Sequence, residues 1–279
     1  MTPTPRLLII TPTLGTSAYL PETMASVRAI EGAQIRHVLS CPADRVDVLA
    51  QTYPKCTVVP DQGRAGGIYG ALNAGLAAVP EGWDWFTYIN DDDLLEPAGF
   101  SQLLARHCQP ENAGTVAYGD ILNIDPAGRP LGRMTTERSP GRMPALLQQG
   151  ISPAGQQGML FGAPVVRRLG GYRLEYRLCA DLDFWARAHA AGFRFVNYPW
   201  TVGKFRIQPG QLSGDVSLTR RELAAVTAES FPDAVPAPAR WLARVLYRLA
   251  NAPRYLERWR AVGRFSRSEA MLESRPAAP

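Results

Sequence analysis

Three adjacent carboxylates, Asp91, Asp92 and Asp93, follow the apolar run Trp85-Phe86-Thr87-Tyr88-Ile89 with only Asn90 intervening. Like charges at the end of a buried strand repel one another, and the arrangement is costly unless a cation or the hydroxyls of a ligand occupy it. A divalent cation bridging two phosphates needs one or two hard carboxylates on a rigid strand end, leaving other positions for phosphate and water. Asp92 and Asp93 have the chemistry for this, and Asp91 for accepting hydrogen bonds from a ribose. The plain alternative is a solvated acidic turn capping a helix that begins near Pro97. A second candidate is the stretch 61–67, Asp61-Gln62-Gly63-Arg64-Ala65-Gly66-Gly67, whose polar and glycine residues suit wrapping a nucleotide or sugar. Arg64 there either pairs with a phosphate or is an exposed arginine on a flexible loop.

The elements that position these residues follow from hydropathy patterning. Residues 6–11 are a continuous apolar run of strand type, and Pro21-Glu22 opens a helix reaching about residue 30. Further strands are predicted at 35–40, 56–59 and 84–89, with helical patterns at 43–51 and 68–79 between them. Such alternation implies βαβ units and a mostly parallel sheet. Ligands of open sheets sit beyond the carboxyl ends of the strands. Thr11-Pro12-Thr13, the 61–67 loop and the acidic cluster all fall at such ends. Beyond them the pattern predicts a strand at 115–118, a hairpin over 121–134 turning at Asp125-Pro126-Ala127-Gly128, a mobile Pro- and Gly-rich loop at 139–153, a strand at 158–161 and a helix at 181–191.

Composition bounds the class. A 279-residue chain with 46% hydrophobic and 20% charged residues can bury a large core, which fits one α/β domain with an appendage. No apolar run approaches the roughly 18 residues of a membrane span, and the N-terminus lacks a signal-peptide layout, so a cytoplasmic location is expected. Cys41, Cys56, Cys108 and Cys179 lie far apart and read as reduced thiols, without a disulfide framework or zinc site. His37, His107 and His189 read as packed or surface residues.

The order and spacing of several short patterns resemble the family-2 glycosyltransferases of the GT-A fold, and in particular those of bacterial surface-polysaccharide synthesis. The stretches are Ile10-Thr11-Pro12-Thr13, Asp61-Gln62-Gly63-Arg64, Tyr69-Gly70-Ala71-Leu72-Asn73-Ala74-Gly75, and Tyr88-Ile89-Asn90-Asp91-Asp92-Asp93 with Pro97 four residues on. Tyr118-Gly119-Asp120, Gln156-Gln157, Gly170-Gly171-Tyr172 and Ala180-Asp181-Leu182-Asp183-Phe184-Trp185 complete the series, which covers about residues 7–213. The resemblance implies a Rossmann-like, mixed but mostly parallel sheet flanked by helices. The sequence pattern sets this domain at 1–232 and adds a helical appendage over 233–279, entered through a linker at Pro236-Ala237-Pro238. It implies transfer of a sugar from a nucleotide diphosphate-sugar, expected to be UDP-linked, to a saccharide or lipid-linked saccharide, with inversion and with Mn2+ or Mg2+.

By the same resemblance Asp92 is the metal ligand of the DxD-type motif, with Asp93 as partner, and Asp181 is the base that deprotonates the acceptor. Asp183 is left to cap its helix. Thr11, Pro12, Thr13, Asp61, Arg64, Asn73, Asn90, Asp91 and Arg206 would serve the donor, with Arg206 stabilising the departing diphosphate. Asp120, Gln157 and Trp185 would face the acceptor. The chain departs from the family pattern at Asn90, at Ala180 where a Glu is usual, at Gln208 where a His is usual, and at Ser40-Cys41-Pro42-Ala43-Asp44, where an Asp-rich turn usually reads the base. Either Asp44 or a backbone group takes that role, or base recognition differs from the family's.

Two rivals remain on sequence grounds. A sugar-phosphate nucleotidyltransferase uses a similar sheet, but its first loop is basic, whereas Thr13-Leu14-Gly15-Thr16-Ser17 carries no Lys or Arg. A degenerate, inactive scaffold at the membrane is the non-enzymatic reading. The tail bears on the latter: residues 233–279 hold nine Arg against Asp233, Glu257, Glu269 and Glu273, so the entire net charge of +5 falls there. Its helical pattern, with Trp241, Trp259 and Phe265 among arginines, suits the anionic inner face of a membrane, packing on the catalytic domain, or a homodimer contact. No nucleic-acid recognition motif accompanies the charge.

Overall fold

The computed structural model describes residues 4–209, 211 and 214–263. Its first half is a parallel sheet. Strands β1 (Arg6–Pro12), β2 (Gln34–Pro42), β3 (Thr57–Asp61) and β4 (Trp85–Tyr88) lie in the order β3-β2-β1-β4, all parallel, so their carboxyl ends share one edge. Helices α1 (Leu20–Arg28), α2 (Val46–Thr52) and α3 (Gly67–Ala78) connect them. Both faces are covered, which is why β1 reads as an unbroken apolar run. Leu8 and Ile10 point into one core layer with Leu72 and Phe86, while Leu7 and Ile9 point into the other with Val27 and Phe100.

Beyond β4 the sheet becomes mixed. β5 (Leu94–Leu95), α4 (Pro97–His107), β6 (Thr115–Ile124) and β7 (Pro130–Arg133) come next. They are followed by α5 (Met143–Leu147), β8 (Leu160–Gly162), α6 (Ala163–Leu169), α7 (Ala180–Ala190) and β9 (Arg194–Arg206). β8 is antiparallel to both β4 and β6, β9 runs parallel to β6, and β5 closes the edge antiparallel to β9. The hairpin at 121–134 forms as β6 and β7. The result is the expected mixed α/β architecture.

Two sequence expectations change. Residues 139–153 hold a 3-10 turn (Pro140–Arg142) and then α5, whose Met143, Leu146 and Leu147 are buried. The prolines there occupy first-turn positions, where the missing N–H costs nothing, so they start structure and do not break it. Likewise Pro236 and Pro238 open α9 (Ala237–Ala250) and form no linker. α8 (Val216–Ser230) precedes it, and α10 (Ala252–Val262) follows after Asn251. The part of the expected tail beyond 263, with Phe265, lies outside the described residues.

α9 and α10 are fastened to the sheet by buried polar groups. The Asn251 side chain accepts from Thr136 N (2.9 Å) and donates to Thr136 O (3.1 Å), and Arg254 pairs with Asp120 at 2.5 Å. Both side chains of that pair are almost wholly buried, at 4% and 1% exposure. Asp120 also meets Arg138 and Arg133 at 3.2 and 3.7 Å, so it is a structural anchor turned away from any acceptor. Gly132, at φ +100°, lets α10 cross closely, since a Cβ there would meet the Arg258 backbone at 3.0 Å. Arg254→Met should lower stability by about 2 kcal/mol, because Asp120 keeps only its longer contacts to Arg138 and Arg133. An unchanged urea midpoint for this variant would show that the pair does not hold the helices.

Candidate active site

The shared carboxyl edge of the parallel strands opens onto a cavity of about 1050 Å³, lined by Pro12, Thr13, Tyr19, Asp61, Arg64, Tyr69, Asp91, Asp92, Arg177 and Gln208 among others. It runs on past Asn90, Asp92 and Gln157 into a space of about 300 Å³ that reaches Asp181. A third space of about 200 Å³, lined by Met134, Gln157, Trp185 and Leu223, meets the second at Asp181. The second space is lined both by Asn90, Asp91 and Asp92 and by Asp181, so the acidic cluster and Asp181 share one cleft.

The three carboxylates of the cluster do different things. Asp93 is fully buried and accepts from Arg206 N (2.9 Å), Gln157 Nε2 (2.9 Å) and Asn90 Nδ2 (3.5 Å). Burial and neighbouring Asp92 push its carboxyl well above the usual range, while those N–H donors favour the ionised form. Asp91 accepts from Thr13 Oγ1 at 2.5 Å, and burial raises it to about 6. Asp92 lines the cavity, is raised by burial, and accepts from Gln208 Nε2 at 2.7 Å. Asp93 lines none of the three spaces, which corrects its expected role as second metal ligand: it builds the site from behind.

Among the described residues no three His, Cys, Asp or Glu side chains converge as a metal cage. The residues present nonetheless fit a hard cation that takes most of its shell from a substrate. Asp92, with Asp91 beside it, would supply the one or two strand-end carboxylates that Mg2+ or Mn2+ needs when phosphate and water provide the rest.

Asp181 sits in the first turn of α7, half-buried where the spaces meet. Its Oδ1 accepts from Leu182 N (2.8 Å) and Tyr69 Oη (3.2 Å). Burial lifts its carboxyl to about 6. The segment before it is held by α8: Glu222 accepts from the backbone N of Arg177, Leu178 and Cys179 at 2.8–2.9 Å. A carboxylate taking three N–H groups fixes the approach to α7 in a chain whose own position 180 is Ala. Asp183 is buried against Arg187 at 2.7 Å, and Arg187 holds Leu169 O and Gly171 O. Asp183 is thus structural, as its place in the first turn suggests.

A model of the family described as glycosyl transferase family 2 matches residues 8–161, more than half of the chain. The chain belongs to this family. Among solved structures it is similar in fold to Staphylococcus aureus TarS (residues 1–349, in complex with UDP-GlcNAc): 13% identity, TM-score 0.61, covering 93% of this chain and 80% of that one. It is also similar to the mannosyltransferase PcManGT of Pyrobaculum calidifontis, in complex with GDP-Man and Mn2+: 17% identity, TM-score 0.58, covering 94% and 75%. No curated protein sequence matches the chain.

Within this family frame the expected donor residues divide. Pro12, Thr13, Asp61, Arg64, Asn90 and Asp91 line the cleft. Thr11 is buried against His37 at 2.9 Å, and Asn73 uses both ends of its amide on the Tyr172 backbone at 2.8 Å. Gly171, at φ +102°, makes that grip possible, since a Cβ there would stand 2.8 Å from Asn73 Oδ1. Arg206 is the largest correction. Its guanidinium is buried, stacked 4.2 Å over Tyr19, paired with Glu22 at 2.7 Å, and bonded to Asp92 O and Pro126 O at 2.9 Å. It has no free face for a diphosphate. Asp44 is exposed beside Arg45 and off the cleft wall, whereas Asp61 is on it. Of the three residues expected at the acceptor, Gln157 and Trp185 line the third space and Asp120 does not.

Sequence reasoning missed Arg177, Tyr69 and Glu222. Arg177 lies four residues before Asp181 and lines both larger spaces, a signal that was legible as an arginine on the loop leading to Asp181. Glu222 carried no such signal, because its partners are backbone groups more than 40 residues away.

If Asp181 must be ionised to act, kcat/KM should fall tenfold per unit below about pH 6, the value to which burial raises this carboxyl. A flat profile from pH 5 to 8 would contradict that. Glu222→Gln removes a charge that helps raise Asp181, so the acidic limb should move to lower pH while kcat drops about tenfold from loss of positioning. A limb left at the wild-type position would separate Glu222 from Asp181.

Proposed function

We propose that the chain transfers one glycosyl residue from a nucleoside diphosphate-sugar to a saccharide hydroxyl in a single inverting displacement. The observation that supports this reading best is the placing of Asp181 at the meeting point of the donor and acceptor spaces, across from Asp91 and Asp92. The Asp181 carboxylate takes the proton of the acceptor O–H. The acceptor oxygen then forms its bond to the anomeric carbon, and the carbon–oxygen bond to the diphosphate breaks with its electron pair going to the leaving group. Arg64 and Arg177, both on the cavity wall, face the charge that develops there. Mn2+ or Mg2+, held by Asp92 with Asp91, supplies Lewis-acid neutralisation of the leaving diphosphate when bound.

The donor is best read as UDP-linked. Asp61 offers a carboxylate to a base N–H from the end of β3, oriented by Ser40 Oγ (3.1 Å) and Gly63 N (2.5 Å). TarS is described with UDP-GlcNAc. A saccharide or lipid-linked saccharide fits the cleft end walled by Trp185, Gln157 and Met134. That reading places the enzyme in the building of bacterial surface polysaccharide. Among the described residues no helix is long and apolar enough to cross a membrane.

Asp181→Asn should keep donor affinity within about threefold while lowering transfer by about 10²–10⁴, the usual share of a general base. Calorimetry with UDP-sugars and Mn2+, alongside single-turnover transfer, reads both quantities. Full transfer by the variant, or loss of donor binding, would overturn the assignment.

A further inference from the structure

Exposed large apolar side chains are unevenly spread over this protein. Among the described residues there are nine, and six lie on α9 and α10: Trp241, Leu242, Leu246, Leu249, Leu256 and Trp259. Trp241 and Leu249 are 64% and 66% exposed. On α9 the side that packs on the domain consists of small or buried groups, Ala243 and Tyr247 against Ala145 and Leu146. The outward side repeats apolar residues at positions 241, 242, 245, 246 and 249, spacings that put them on one helical stripe. Arg240, Arg244 and Arg248, four residues apart, form a row along one flank of that stripe. α9 contains no acidic residue, and the one on α10, Glu257, is taken by Arg133 at 2.9 Å. Among the described residues the side chains of Arg240, Arg244, Arg248 and Arg260 form no ion pair.

A helix that adjusts to its surroundings would turn its apolar stripe inward. This one is prevented from doing so. Asn251 at the corner bonds Thr136, Arg254 pairs with Asp120, and Arg258 donates to Arg133 O at 3.1 Å, all from the inner side. α10 thus buries Arg254 and Arg258 while Leu256 and Trp259 face out, the reverse of an ordinary surface helix.

We infer that the outward face of α9, supported by Trp259 and Leu256 of α10, docks the enzyme on an anionic lipid bilayer. The apolar stripe enters the acyl boundary, the tryptophans lie at the headgroup level, and the arginine row pairs with lipid phosphates. A second copy of the chain is the poorer occupant. Two-fold pairing of the stripe with itself would bring arginine rows together with no acidic residues to match them. The position has a functional consequence, which rests on the transfer reading above. Thr136, gripped by Asn251, is two residues from Met134 on the wall of the acceptor space, so docking would hold that end of the cleft near the lipid surface that presents a lipid-linked saccharide.

The test is co-sedimentation of the full chain with vesicles of phosphatidylcholine alone and of phosphatidylcholine with phosphatidylglycerol, with light scattering in parallel. Binding is expected only to the anionic vesicles and is expected to weaken as salt rises. Trp241→Ala with Leu249→Ala, or Arg248→Glu with Arg260→Glu, all four exposed, should each reduce partitioning about tenfold or more. Both pairs are on the outer side, so melting temperature and donor affinity should stay at the wild-type values. Absence of binding to anionic vesicles would overturn the proposal, as would partitioning that the variants leave unchanged. A dimer in solution that the same variants dissociate would assign the face to a second copy instead. Because vesicle binding is read without any transfer, its failure leaves the catalytic assignment standing, and the converse holds too.

Discussion

The buried carboxylate of Asp93 is the point on which the site depends. It ties together the end of β4 through Asn90, the segment before β8 through Gln157, and the end of β9 through the Arg206 amide. Its carbonyl accepts from Thr23 of α1 at 2.8 Å, bringing in a fourth element. A buried charge without such donors would be strongly unfavourable, and with them it becomes a specific junction. Because Asp93 is held inward, Asp92 faces the cleft and Asp91 meets Thr13. Arg206 locks the same corner from the other side by holding the Asp92 carbonyl while stacked on Tyr19. Three neighbouring carboxylates thus divide into one that builds the site and two that line the cleft.

The opposite wall uses the same device with different parts. Position 180 is Ala, and Glu222 on α8 supplies a carboxylate to the backbone that leads into α7. Tyr69 then orients Asp181 from α3, and the stack of Tyr69, Tyr172 and Phe184 beneath it keeps that region dry. Desolvation raises the Asp181 carboxyl to about 6, which makes it a better proton acceptor while leaving it ionised near neutrality.

Much of the donor half was legible in the sequence for a physical reason. Strands buried on both faces, such as β1 and β4, appear as unbroken apolar runs, and parallel order places their carboxyl ends together. The long strand β9 was not legible: Arg194, Asn197, Lys204 and Arg206 interrupt it, because several of its side chains meet solvent or buried partners and no simple alternation survives. α5 was hidden by prolines that start its turns. The roles of Arg206, Asp120, Asn73 and Asp93 were beyond sequence patterning, since each is decided by a partner far along the chain, as with Glu22, 184 residues from Arg206. The type of such a residue shows that it can do chemistry; only its neighbours show whether it faces ligand or core.

The division of labour within the acidic cluster is the central claim, and paired isosteric substitutions test it most directly. Asp92→Asn and Asp93→Asn are to be compared by thermal melting and by calorimetric titration with UDP in the presence and absence of Mn2+. Asp92→Asn should melt like the wild type and lose the Mn2+-dependent part of binding, whereas Asp93→Asn should lose about 2 kcal/mol of stability. Mn2+-dependent binding retained in Asp92→Asn, or an unchanged melting temperature in Asp93→Asn, would contradict that division of labour.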